Sequence, residues 1–166
     1  PTMENGAGLG IEAQVNGGAS CVFHAMDEQD VAQIMKHPQT MIASDGRLVA
    51  PGMGHPHPRW YGTFPRVLGR YVREKKVLSL PEAIHKMTAL PAAAMGLKDR
   101  GLLREGMKAD VVLFDPGTVA DKATFENPHQ YPEGIPHVIV NGQFSVLNGE
   151  FQHLKAGEVL RKNPEQ

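Results

Sequence analysis

Hydrophobic and polar positions follow a helical spacing in much of the first part of the chain and a strand-like spacing in the last part. Residues 20–26 and 40–43 are short apolar runs of the kind that form buried strands. Between them, Asp27 is suited to cap a helix that extends to about Lys36, with Pro38 just beyond. A strand, a helix and a strand with brief connections predict a βαβ unit and therefore parallel strands.

The centre of the chain is amphipathic. Apolar residues in 64–76 recur at three- and four-residue intervals, which predicts a helix. Ser79 and Glu82 have the spacing of a capping box and predict the start of a second helix, which extends through Met87. The run 90–96 predicts a third, short helix that a glycine ends.

From Gly101 the pattern changes to that of strands. Residues 109–114 predict one strand, and 137–140 with 143–147 flank an Asn-Gly pair that predicts a β-hairpin with a type I′ turn. The segments without a sustained apolar period are predicted to be irregular: residues 1–18, the long connection 117–136, and the polar tail after His153.

Candidate chemistry is concentrated where the apolar run 40–43 ends. Asp45 follows that run at once, and Arg59 comes after a loop rich in Pro, Gly and His, just before the next predicted helix. Strand, carboxylate, loop and helix is the order in which an α/β barrel presents chemistry at its carboxyl-end face. One carboxylate does not make an active site, so further groups would have to join it.

Composition narrows the class of protein. The chain has 166 residues, fewer than the ~200–250 of a complete α/β barrel. Its formal net charge of −1 offers no basic surface for nucleic acid, and no apolar run approaches the ~18 residues of a membrane span. We therefore expect neither nucleic acid nor a membrane as a partner. The single cysteine, Cys21, cannot form an internal disulfide and indicates a reducing, cytoplasmic location.

Several motifs occur in consistent order from about Cys21 to about Asn148. They are Ser44-Asp45-Gly46, His57-Pro58-Arg59, Gly62-Thr63-Phe64-Pro65-Arg66-Val67-Leu68-Gly69, Lys86-Met87-Thr88, Gly101-Leu102-Leu103-Arg104-Glu105-Gly106 and Ala109-Asp110-Val111-Val112-Leu113-Phe114-Asp115-Pro116. Together they resemble the carboxyl-terminal portion of D-aminoacylases. These N-acyl-D-amino-acid deacylases belong to the amidohydrolase superfamily.

The resemblance implies an α/β fold class. The chain would supply the last strands and helices of a metal-dependent (β/α)8 amidohydrolase barrel and part of a small β-sandwich domain. In these terms the chain divides into four parts: an irregular N-terminal segment 1–19, the C-terminal part of the barrel 20–100, part of the small β-domain 101–153, and a polar tail 154–166.

The resemblance also implies a reaction and its residues. The complete enzyme would use Zn²⁺ to hydrolyse N-acyl-D-amino acids to a carboxylate and a D-amino acid. Asp45 would approach the metal and act as general base on the attacking water. Arg59 would bind the α-carboxylate of the substrate through its guanidinium fork. Met26, which closes the preceding predicted strand, would line the acyl or side-chain pocket, although a core role suits methionine equally well.

Other metal-ligating residue types in the chain are interpreted differently. His55 and His57 mimic a His-x-His metal pair, but they alternate with prolines after the last predicted barrel strand, so we expect loop residues. His24 lies inside a predicted strand, where a core histidine is expected. Cys21 begins that strand rather than ending it, and we do not assign it as a metal-bridging ligand.

The histidine ligands that the family's metal site requires have no match in this sequence. We therefore expect no activity from this chain alone, and its partners would be the remainder of the same enzyme chain and the N-acyl-D-amino acid substrate. Two alternatives stay open. One is a non-catalytic binding or assembly module, and the other is a related amidohydrolase that acts on cyclic amides.

Overall fold

A computed structural model describes residues 3–18, 22 and 25–161 of the chain. Helical elements come first and strands follow. The helical elements are α1 (Met3–Val15), α2 (Glu28–Lys36), α3 (Arg59–Arg66), a π-helix (Val67–Glu74), α4 (Leu80–Met87) and α5 (Ala89–Ala94). The strands are β1 (Val111–Leu113), β2 (His137–Val140), β3 (Gln143–Leu147) and β4 (Glu150–Phe151).

Side-chain caps define the starts of two predicted helices. At α2, the carboxylate of Asp27 accepts a hydrogen bond from the Gln29 backbone N–H at 2.6 Å. At α4, Ser79 and Glu82 form a reciprocal capping box, in which each side chain bonds the other residue's backbone N–H. Gly96, with φ of +72°, lies just beyond α5 in the conformation that ends helices. All three predicted helices are confirmed.

The helix predicted over 64–76 is also confirmed, with two differences. It begins at Arg59, directly after Pro58, whose fixed φ suits the start of a helix. Its second half is π-helical, and the Lys75 backbone N–H continues the wider spacing by donating to the Arg70 carbonyl at 2.8 Å. A pattern of apolar intervals does not distinguish these two helix types over so short a segment.

The prediction of loop for residues 1–18 is wrong, because the structure contains α1 over Met3–Val15. The stretch Met3–Val15 contains no proline, so its backbone hydrogen bonds form locally despite its three glycines. The described side chains of α1 are almost all exposed. Its sequence accordingly lacks the amphipathic pattern by which a packed helix is recognised.

The predicted βαβ unit is not present among the described residues, where every paired strand is antiparallel. Segment 40–43 is not paired as a strand, and the Ile42 backbone N–H donates instead to the Lys86 carbonyl at 3.1 Å. A parallel ladder needs a neighbouring strand, and none of the described strands lies beside 40–43. Of the predicted partner 20–26, the residues Ser20, Cys21, Phe23 and His24 lie outside the described residues.

The strands form one antiparallel sheet in the order β1-β2-β3-β4. Asn141 and Gly142 both have positive φ, at +48° and +79°, so the predicted type I′ hairpin is confirmed. Asn148 and Gly149 repeat this conformation and lead into β4, which was not predicted. The strand predicted over 109–114 is confirmed in shorter form as β1.

The main core lies between the π-helix, α4 and the long connection 117–136. Its buried members are Val67, Leu68, Tyr71, Leu78, Ala83 and Val119. The connection packs directly on the π-helix backbone, because a Cβ at Gly69 would lie 2.7 Å from the Val119 carbonyl oxygen. This contact fixes the irregular connection against the helix that begins at Arg59.

The tail is polar as predicted, but its first part is anchored to the sheet. The Asn141 side chain donates to the Ala156 carbonyl at 2.7 Å, and Arg100 forms ion pairs with both Asp110 and Glu158. Within the described part of the chain, no helix has the length and apolar character needed to cross a membrane.

Candidate active site

Asp45 lies at the end of an extended segment, in a sharp turn. Its φ of +46° is in the left-handed region, which aspartate tolerates better than most residues. The Ser44 hydroxyl accepts a hydrogen bond from the Gly46 N–H at 3.2 Å and closes the turn around it. The Asp45 side chain is 85% exposed. The turn therefore presents this carboxylate outward rather than into the core.

Arg59 reaches back to this turn from the first position of α3. One terminal nitrogen of its guanidinium donates to Asp45 Oδ2 at 2.7 Å, and Nε donates to the Asp45 backbone carbonyl at 3.2 Å. The Arg59 backbone N–H donates to Nδ1 of His57 at 3.0 Å, which ties the start of the helix to the preceding loop. The structure thus brings together the predicted base and the predicted carboxylate-binding residue.

A cavity of about 350 Å³ lies beside Arg59, between α3 and the connection 117–136. Its charged lining includes Arg66, which donates to Asp121 Oδ2 at 2.9 Å. Burial lowers the pKa of Arg66, but the hydrogen bond and charge of Asp121 outweigh it, so the net shift is upward. Arg66 is therefore a fixed positive charge. The volume is in the range of small-molecule sites.

Met26 lies apart from this cavity. Its side chain is 78% exposed and lines a second cavity together with residues of α2, including Val31 and Met35. Thr63 and Arg66 line both cavities. Met26 therefore does not share a cavity with Arg59, and its role in substrate binding stays a prediction.

The two loop histidines are engaged in local contacts. His55 Nε2 lies 2.5 Å from the Phe125 carbonyl oxygen, and the His57 ring meets the Phe125 ring edge-on at 5.1 Å. Both contacts agree with their interpretation as loop residues. Cys21 and His24 lie outside the described residues.

The described residues contain no group of three or more His, Cys, Asp or Glu side chains that could hold a metal ion. The exposed Asp45 carboxylate is chemically suited to be one oxygen ligand of zinc. A catalytic zinc usually takes three protein ligands. A zinc site that includes Asp45 would therefore need further ligands beyond the described residues.

Lys86 is a buried residue for which the sequence predicted no role. Its side chain on α4 is only 4% exposed, and its Nζ donates to the carbonyls of His37 and Thr40. A signal was available, because Lys86 lies three residues after Ala83 on the buried face of α4. A lysine at a core-facing position of a helix indicates a charge held by specific partners.

Similarity to known proteins identifies the family of this chain. The family model described as "Amidohydrolase family" matches residues 11–146. This chain belongs to the amidohydrolase family. Its amidohydrolase relatives include the N-acyl-D-aspartate deacylase of Alcaligenes xylosoxydans xylosoxydans, which is 52% identical over 132 residues. That match covers 80% of this chain and 26% of the deacylase.

Two solved structures are similar to this amidohydrolase chain. A D-aminoacylase, described with a binuclear metal centre, matches with a TM-score of 0.77 and 48% identity, over 82% of this chain and 28% of that one. The N-acyl-D-glutamate deacylase of Bordetella bronchiseptica, complexed with zinc and a phosphonate inhibitor, matches with a TM-score of 0.67 and 50% identity, over 72% and 25%. The predicted family and fold are confirmed. The chain spans between a quarter and a third of the length of these relatives.

Proposed function

We propose that this chain is the carboxyl-terminal portion of a zinc-dependent N-acyl-D-amino-acid deacylase, which hydrolyses linear amides to a carboxylate and a D-amino acid. The observation that carries this proposal is the pairing of Asp45 with Arg59 at 2.7 Å. One side chain is chemically suited to accept a proton and the other to bind a carboxylate. Their convergence in a chain about half identical to three kinds of D-amino-acid deacylase supports these two roles.

In this proposal Asp45 is the general base. Its carboxylate accepts a proton from the attacking water and later delivers that proton to the nitrogen of the leaving D-amino acid, so the carboxylate is regenerated in each cycle. The exposure of the carboxylate gives a water molecule and an amide access to it. The turn at Ser44 and Gly46 holds it in one position while the proton moves.

Arg59 binds the α-carboxylate of the substrate. Its guanidinium has five N–H donors, and two contacts with Asp45 leave others for a ligand. An α-carboxylate bound there has its scissile amide nitrogen on the adjoining carbon, close to the Asp45 carboxylate. Met26 is proposed to contribute to the side-chain or acyl pocket in the complete enzyme.

Zinc is the proposed cofactor, with Asp45 as one ligand. When bound, the metal lowers the pKa of a water molecule and polarises the amide carbonyl. The zinc-containing deacylase structure supports this choice of metal. The remaining ligands are proposed to lie in the rest of the enzyme chain.

The domain boundaries are also proposals. Residues 20–100 are assigned to the barrel and 101–153 to the small β-domain, and the change from helices to antiparallel strands after Gly101 supports this division. The terminal segments 1–19 and 154–166 are assigned to neither. A cytoplasmic location is proposed from the single cysteine.

The test is hydrolysis of N-acetyl-D-aspartate, N-acetyl-D-glutamate and N-acetyl-D-methionine by the complete enzyme that contains this chain, with the L-enantiomers as controls. We expect turnover of D-substrates that a chelator abolishes and zinc restores. The 166-residue chain alone should show no turnover with or without zinc. A complete enzyme that hydrolyses cyclic amides but no N-acyl-D-amino acid would contradict the proposal.

A further inference from the structure

Lys86 carries a positive charge in a place where charge is costly. The residue is 4% exposed, and within the described part of the chain no carboxylate lies within ion-pair distance of its Nζ. A buried ammonium group needs hydrogen-bond acceptors to offset its lost hydration. Nζ donates to the His37 carbonyl at 2.5 Å and to the Thr40 carbonyl at 3.2 Å.

These two carbonyls lie where α2 ends and the extended segment begins. His37 is the C-terminal cap of α2, and a positive charge is favourable at this end of a helix dipole. The backbone of Lys86 makes a third contact, because its carbonyl accepts the Ile42 N–H at 3.1 Å. One residue of α4 thus fixes the path of the chain from position 37 to position 42.

Asp45 is the third residue after this fixed path ends at position 42. On its other side, Arg59 holds both the Asp45 backbone and its carboxylate. The position of the carboxylate is therefore set from two directions, by Lys86 upstream and by Arg59 from α3. Both hydrogen bonds of Nζ go to backbone carbonyls, so the ammonium group fixes the path of the backbone. Glu82, one turn earlier on α4, adds an electrostatic attraction to Lys86 without reaching ion-pair distance.

We infer that Lys86 is a positioning residue for the Asp45 carboxylate, an inference that rests on the proposed deacylase function. Lys86 contacts neither Asp45 nor, in this assignment, the substrate, and it transfers no proton. It holds the carbonyls of His37 and Thr40, and through them the segment that presents Asp45. A shift of about 1 Å in a reacting group is enough to slow a reaction roughly 100-fold.

The experiment uses the complete enzyme with Lys86→Met, which keeps the unbranched apolar stem and removes the ammonium group. We expect kcat per folded, zinc-loaded enzyme to fall roughly 10- to 100-fold, with KM nearly unchanged because Arg59 still binds substrate. The matched control is Lys36→Met, which removes an exposed positive charge from the same end of α2. That control should keep the wild-type kcat.

A double-variant cycle separates positioning from loss of structure. If Lys86 acts through Asp45, then Lys86→Met should cost nothing further once Asp45→Asn is present, because coupled residues are not additive. A purely structural role would lower kcat by the same factor in both backgrounds, and that result would overturn the inference. If Lys86→Met does not fold, the same cycle is run with Lys86→Gln, which retains an amide donor.

The outcomes also separate this inference from the proposed function. Wild-type kcat in Lys86→Met together with a large loss in Asp45→Asn would overturn only the positioning role. Wild-type kcat in Asp45→Asn would overturn the role of Asp45 as general base and, with it, the positioning role of Lys86. A wild-type complete enzyme that hydrolyses no N-acyl-D-amino acid would overturn the proposed function itself.

Discussion

Arg59 holds Asp45 at two points, the side-chain Oδ2 at 2.7 Å and the backbone carbonyl at 3.2 Å. Both side chains are exposed, at 43% for Arg59 and 85% for Asp45. Exposed ion pairs contribute little to folding stability, typically ~0–1 kcal/mol. Stability therefore does not explain the pair well, and the proposed site, in which a base lies beside a carboxylate-binding group, is the explanation that we test.

Arg59→Lys tests the carboxylate-binding role in the complete enzyme. The substitution keeps the positive charge but loses the bidentate fork. A charge-assisted hydrogen bond contributes ~1.5–3 kcal/mol, so kcat/KM for an N-acyl-D-amino acid should fall roughly 10- to 150-fold. Steady-state kinetics measure this change.

The control for Arg59 is an amide substrate that lacks the α-carboxylate. The loss should shrink with that substrate, because the guanidinium then has no ligand to bind. Equal losses on both substrates would show that Arg59 acts only through its contacts with Asp45, and its assignment to substrate binding would be withdrawn.

Gly69→Ala tests the contact between the π-helix and the connection 117–136. The added Cβ would lie 2.7 Å from the Val119 backbone carbonyl oxygen, so the backbone must shift. We expect a loss of about 1–3 kcal/mol in the free energy of unfolding, measured by urea denaturation of the chain. Gly8→Ala is the matched control, since its Cβ would have no neighbour within 4 Å. A Gly69→Ala variant as stable as Gly8→Ala would refute this packing.

The pH dependence of stability should include a contribution from Glu28. Its hydrogen bond with Lys75 lowers its pKa from the ordinary 4.5; burial opposes this, and the charge of Arg70 adds to it. Because the folded pKa is depressed, this contribution is present above pH 4.5 and is lost as the pH falls through the folded pKa.

Thermal denaturation of the chain at several pH values below 6 measures the Glu28 contribution. Glu28→Gln should flatten the decline of Tm on acidification relative to wild type. Glu12→Gln is the control, because Glu12 lies exposed on α1. The assignment to Glu28 fails if the two variants lose Tm in parallel with wild type.

Local signals account for the elements that the sequence predicted well. Asp27 and the Ser79–Glu82 pair cap helices with side chains only a few residues away, and Asn141-Gly142 forms its turn within the hairpin itself. Segment 40–43 is different, because a strand depends on a neighbour that its own residues do not supply. The sequence therefore predicted the extended backbone there, whereas its prediction of a parallel partner is not met among the described residues.

In the candidate site, too, the single residues could be predicted from local sequence and their contacts could not. Asp45 and Arg59 were recognisable as separate chemical groups, yet their ion pair joins positions fourteen residues apart. The contacts of Lys86 with His37 and Thr40 span more than forty residues. Such contacts depend on how helices pack, which the spacing of residues within one element does not encode.

The most direct test of the account is Asp45→Asn in the complete enzyme, with kcat and bound zinc measured on the same sample. Asparagine keeps the shape of the side chain but is a far weaker base, and the other proposed ligands should still hold the metal. We therefore predict that zinc is retained while kcat falls at least ~100-fold. Wild-type kcat at full zinc occupancy would contradict the account, because Asp45 would then have no part in the proton transfer.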